Sequence, residues 1–110
     1  MSQSNSLTEL VYSSLGADPD LAKIVEMFVE EMPDRIARLL DLYESADWEE
    51  LRRTAHQLKG AAGSYGFDPI SPCAARLEKA VRGEAPEDQI RHAVDELVDL
   101  CRRATSGAPT

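Results

Sequence analysis

The residues most able to do chemistry in this chain lie close together, around one imidazole. His56 sits in the segment 51–66, LRRTAHQLKGAAGSYG, which holds Arg52, Arg53 and Lys59 and no acid at all. The segment is therefore +3 within a chain of net charge −8, which leaves −11 on the remainder. On a helix turning roughly 100° per residue, with Leu51, Ala55, Leu58 and Ala62 setting the buried direction, His56 points roughly 130° away from the core. Gly60 falls one turn later on the same side, Gly63 comes up beside it, and Arg52 flanks from one turn earlier. Lys59, at i+3, lies within side-chain reach of the ring. Each glycine inside a helix gives up about 0.8–1 kcal/mol relative to alanine. Sequences tend to break such local rules at functional sites. Here the breach strips side chains from the surface beside an exposed imidazole, so that another protein can approach the ring. The competing reading is plain: a lone histidine on a solvated face is usually idle, and glycines near a helix end are often caps, with Gly66 a candidate cap.

The elements that must hold this cluster read as helices throughout. Ser6 and Glu9 have the spacing of a capping box for a short first helix with Leu7, Leu10 and Val11 on its apolar side, ended by Gly16. Asp18 and Pro19 open the next. Leu21, Ile24, Val25, Phe28 and Met32 keep helical phase, as do Ile36, Leu39, Leu40 and Tyr43, with Pro33 between the two sets. Because the phase runs through Pro33, one kinked helix is expected rather than two. Asp47 and Glu50 form another capping box, ahead of the helix that carries His56. Asp68-Pro69 starts a helix with Ile70, Cys73, Ala74, Leu77 and Val81 inward, stopped by Gly83. Pro86 opens the last, with Ile90, Ala93, Val94, Leu97 and Cys101 inward. Short connections between long amphipathic helices make neighbours antiparallel. The expected fold is all-α: an up-down antiparallel four-helix bundle with a short extra N-terminal helix. It should occupy residues 6–104, between flexible ends at 1–5 and 105–110.

Composition removes several functions. At 110 residues the chain holds one core and no second domain. Its acidity repels phosphate backbones and anionic lipid, so neither nucleic acid nor a membrane surface is an expected partner. No apolar run approaches the ~20 residues of a bilayer span. The N-terminal residues lack a basic and an apolar region of the kind that directs export, and Cys73 and Cys101 lack metal-ligand spacing. Two reduced core thiols in a cytoplasmic protein are expected. No Glu-x-x-His spacing suggests a di-metal bundle, and no glycine-rich phosphate loop suggests ATP binding. His92 lies off the apolar phase of its helix and Ser64 has no base in reach.

The run Ala55-His56-Gln57-Leu58-Lys59-Gly60, with Gly66 ten residues after the histidine, resembles the motif of histidine phosphotransfer (HPt) domains: His-x-Leu-Lys-Gly and a further glycine. The likeness extends through Ala61-Ala62-Gly63-Ser64-Tyr65-Gly66-Phe67 and along the helical pattern from about Leu7 to Ala104. The resemblance implies that His56 carries a phosphoryl group, through the outer ring nitrogen Nε2. It implies that Lys59 neutralises the phosphoryl oxygens and Gly60 leaves room for the partner. It also implies that partners are receiver domains of response regulators, which bring the magnesium, with a hybrid sensor kinase as a further candidate. The physics is compatible. A neutral imidazole is a good nucleophile. Phosphoryl transfer needs in-line positioning and charge neutralisation. An ammonium about 4 Å from a phosphoryl charge is attracted by roughly 4 kcal/mol at an effective dielectric near 20.

The expectation is therefore a monomeric phosphorelay intermediate: receiver aspartate to His56, and His56 to another receiver aspartate. It should have no cofactor or metal of its own and no autokinase activity. Arg52, Arg53, Gly63, Tyr65 and Phe67 are expected on the partner-binding surface, Phe67 with an equal claim to the bundle core. The contact should be transient, below about 1,200 Å². The alternative is a helical adaptor that binds receivers or other signalling proteins without being phosphorylated.

Overall fold

A computed structural model describes residues 9–107. These form, in order, β1 (Val11–Tyr12), α1 (Ala22–Glu30), α2 (Met32–Glu44), α3 (Trp48–Ser64), α4 (Ile70–Arg82), α5 (Glu87–Arg103) and β2 (Ala104–Thr105). The chain is a helical bundle whose most extensive packing is α3 on α4, followed by α4 on α5, α2 on α5 and α2 on α3. The inward residues expected on α3, α4 and α5 are all buried. With Val25, Phe28, Met32, Leu39 and Leu42 from α1 and α2 they make one core. Burying that face, rather than helix propensity, supplies most of the stability of helices this short.

Two expectations change. Pro33 does not kink a continuous helix but sits in the first turn of a new one. Glu31 separates α1 from α2, and its N–H closes α1 on Met27 and Phe28. Proline has no N–H to contribute, and in a first turn none is required, so the break falls where it removes least. The apolar phase still runs through it, except that Ile24 and Met27 face outward, 38% and 51% exposed. The expected N-terminal helix is not found among the described residues. Val11 and Tyr12 instead form a parallel strand pair with Ala104 and Thr105, so Thr105, placed in a flexible end, is tied down. Ser6, Leu7 and Thr8 of that expected helix, the 1–5 end and residues 108–110 lie outside the described residues. Gly16 ends no helix. It lies where a Cβ would strike the carbonyl oxygen of Gly107, bringing the two terminal segments into contact.

Helix ends follow local chemistry. Asp18 accepts from the Asp20 N–H at 2.9 Å, and its carbonyl accepts from Leu21 and Ala22, so this turn feeds α1. Asp47 caps α3 by accepting from the Glu50 N–H at 3.3 Å. Glu50 does not complete the box, because its carboxylate is taken by Arg38 and Arg53. Asp68 makes no cap to α4; the Phe67 carbonyl accepts from Ile70 and Ser71 instead. At the end of α3, Gly66 takes φ +79°, Phe67 N–H reaches Ala62 O and Gly66 N–H reaches Gly63 O. This is a Schellman closure. The same closure ends α2 and α4 with Ala46 (φ 56°) and Glu84 (φ 54°) in the left-handed position. Gly83 is the C-cap of α4, where the sequence placed the stop, and the left-handed residue that follows it is Glu84.

Candidate functional site

α3 presents His56 outward, its side chain 59% exposed. The helix packs against α4, so residues on its flank meet α4 side chains. Ser71 Oγ donates to Lys59 O at 2.9 Å, and Glu78 reaches the ring. His56 Nδ1 lies 2.8 Å from Glu78 Oε2, Lys59 Nζ lies 2.9 Å from Oε1, and Arg82 Nη2 lies 2.6 Å from Oε2. Glu78 itself is only 4% exposed through its side chain, the one carboxylate among the residues that make up the buried stripe of α4.

A buried carboxylate persists only when its lone pairs are filled. Here Lys59 holds the Glu78 carboxyl below its ordinary value, foremost through its hydrogen bond, against the opposing effect of burial, with the His56 hydrogen bond adding to the lowering. An ionised carboxylate only accepts, so the proton of the contact resides on His56 Nδ1. In the neutral ring this leaves the lone pair on Nε2. One side chain therefore selects the tautomer, fixes the ring's direction and holds the neighbouring ammonium.

The surroundings of the ring are bare. A Cβ on Gly60 would meet nothing within 4 Å, and one on Gly63 would sit 3.6 Å from Ser71 Oγ, an ordinary contact. Neither glycine is demanded by helix packing, so the lost helix propensity has no structural return. His56 lines neither the roughly 500 Å³ groove of Val29, Met32, Pro33, Ile36, Cys101, Arg102 and Ala104 nor the smaller one at Trp48, Val81, Glu84, Ala85 and Ile90. The ring is approached over open surface.

Several expected site residues change character in three dimensions. The segment without acids is not an unpaired positive patch. Arg52 binds Glu49 at 2.6 Å, Arg53 binds Glu50 at 3.1 Å, and Lys59 binds Glu78. A single carboxylate, Glu78 of α4, attends His56. Phe67 is fully buried and stacks on Phe28 with centroids 5.2 Å apart, so it belongs to the core and presents nothing to a partner. Tyr65 is half-buried, 5.1 Å from the Phe28 ring. His92 is exposed, 3.7 Å from Glu96. Cys73 and Cys101 are buried free thiols.

Glu78 is the residue that sequence reasoning missed, and a signal for it existed. Ile70, Cys73, Ala74, Leu77 and Val81 define the inward stripe, and position 78 falls on it. An acid in core phase must have partners, and of those it finds, His56 and Lys59 were already singled out while Arg82, at 2.6 Å, was missed with it.

Among the described residues no group of three or more His, Cys, Asp or Glu is placed to hold a metal ion, and no described helix is long and apolar enough to cross a membrane. A family model described as Hpt domain matches residues 23–106, which includes every residue of the cluster. No curated protein and no solved structure matches the chain.

Proposed function

We propose that this chain, which belongs to the Hpt domain family, relays a phosphoryl group on His56 Nε2 between receiver-domain aspartates. The observation that carries the reading is the exposed ring whose Nδ1 is held by a buried, ionised Glu78. In the forward step the Nε2 lone pair forms the N–P bond while the bond between phosphorus and the aspartyl oxygen breaks. The aspartate leaves as carboxylate, and the ring keeps the proton on Nδ1, donated to Glu78. The return step runs the same path backwards. Lys59 stabilises the phosphoryl oxygens, Gly60 clears the approach, and the partner receiver supplies magnesium.

The rest of the reading follows from these roles. Arg52, Arg53, Gly63 and Tyr65 border the docking surface. The two arginines give up only weak surface pairs to meet a partner, since exposed ion pairs are worth about 0–1 kcal/mol. The protein works as a cytoplasmic monomer with no ATP site or autokinase activity of its own. The up-down antiparallel order of α2 to α5 is supported by the contacts Arg38–Glu50, His56–Glu78 and Tyr43–Glu87, each joining residues that such an order brings level.

Phosphorylated receivers should pass label to the wild-type chain, and the label should be acid-labile and alkali-stable. His56→Gln should receive none. Full labelling of that variant would end the assignment, and unchanged receiver binding without any transfer to wild type would favour a non-phosphorylated adaptor.

A further inference from the structure

Lys59 has two duties that conflict. It sits on Glu78 Oε1 at 2.9 Å, yet the reading above asks it to serve a phosphoryl group on Nε2. An ammonium drawn to the phosphoryl leaves Oε1 of a carboxylate that is 4% exposed. Uncompensated, such a vacancy is strongly unfavourable. Arg82 resolves the conflict. It reaches Glu78 from one turn along α4, its Nη2 2.6 Å from Oε2, while its own side chain remains 63% exposed. A guanidinium offers several donors in a fixed fork that matches both oxygens of a carboxylate.

We infer that Arg82 is a positioning residue that takes over Glu78 when Lys59 turns to the phosphoryl group. In the resting site Lys59 holds Oε1, and Arg82 shares Oε2 with the His56 Nδ1–H. When Nε2 is phosphorylated, Lys59 moves to the phosphoryl oxygens and the Arg82 fork closes over both carboxylate oxygens. Glu78 therefore never loses its countercharge, and the Nδ1 contact survives each transfer. Arg82 touches neither phosphorus nor ring in this scheme; it acts through Glu78. The inference rests on the proposed relay through His56.

The test uses phosphoramidate, which donates a phosphoryl group without a protein partner. The Nε2 lone pair forms the N–P bond, the donor's P–N bond breaks and ammonia leaves. Wild type, Arg82→Gln, Arg82→Lys, Glu78→Gln and the Glu78→Gln/Arg82→Gln double variant are compared by labelling rate, with the Lys59 15Nζ resonance followed before and after. Arg82→Gln should label about tenfold more slowly than wild type, a difference of about 1.4 kcal/mol. Arg82→Lys should recover part of the rate. In the Glu78→Gln background a neutral amide needs no countercharge, so removing Arg82 should change little. The Lys59 resonance should move on phosphorylation in wild type and stay in Arg82→Gln. Loss of rate from Arg82→Gln in both backgrounds would mean that Arg82 meets the phosphoryl directly, and would overturn the inference. So would an unaltered rate in Arg82→Gln, or a Lys59 resonance that moves equally in both. If Glu78→Gln takes no label, the Lys59 resonance decides. Wild type that takes no label on His56 would defeat the relay reading itself, an outcome separate from these.

Discussion

Replacing Gly60 with alanine should make the protein more stable and a worse relay. The added methyl meets no atom within 4 Å, so it introduces no clash, and position 60 lies inside α3. The gain is then the helix-propensity difference of about 0.8–1 kcal/mol. For a domain of this size that raises Tm by about 4–8 °C. The same methyl stands one helical turn from His56, on the face proposed to receive the partner. Transfer from a phosphorylated receiver should slow by about tenfold or more, equivalent to about 1.4 kcal/mol in the barrier. Labelling by phosphoramidate, a donor little larger than the phosphoryl group itself, should keep its wild-type rate. Thermal melts and the two labelling assays decide the matter together. A fall in Tm would show that Gly60 serves the fold. Equal slowing with both donors would show that the methyl disturbs the imidazole rather than the docking, and an unchanged receiver rate would remove Gly60 from the site.

Further outcomes follow from the helix ends and the buried ionisable groups. Ala46→Gly and Glu84→Gly should each stabilise by about 1 kcal/mol in denaturant titrations, because both residues occupy left-handed backbone that suits glycine. Gly66→Ala should destabilise by about 1–3 kcal/mol in the same assay. Its φ is +79° and its Cβ would lie 2.7 Å from the hydroxyls of Ser13 and Ser14. Burial pushes the Cys101 thiol up from 9.0 to about 12. The folded state thus keeps its proton while the unfolded state ionises, and stability should fall by about 1.4 kcal/mol per pH unit across that window. Cys101→Ala should flatten this alkaline slope, and an identical slope would show that Cys101 is not its source. The Glu78 carboxyl is held below its ordinary value by Lys59. Its contribution is therefore full above the ordinary carboxylate range and disappears as pH falls through the depressed folded value. Glu78→Gln should shrink the acid limb of the stability profile.

Much of this molecule was legible in the order of its residues. The inward stripes of α3, α4 and α5 could be read from spacing because 3.6-residue periodicity is a direct consequence of burying one helix face. The exposure of His56 and the open ground at Gly60 followed from the same geometry. What escaped depended on contacts between segments far apart in sequence. The Val11–Tyr12 strand exists only because β2 pairs with it, so local spacing alone gave no sign of a strand at Val11–Tyr12. The break at Glu31 turned on whether Pro33 falls within a helix or at its start, which phase alone does not decide. The charge of segment 51–66 misled because its partner acids lie outside it, at Glu49 and Glu50 in the preceding turn and at Glu78 on another helix.

His56, Lys59, Glu78 and Arg82 all belong to α3 and α4, two consecutive helices joined by residues 65–69. The cluster proposed to act is thereby built from one pair of successive helices, packed between α2 and α5. Substitutions on the outer faces of α1, α2 and α5 should therefore leave the hydrogen bonds around His56 unchanged.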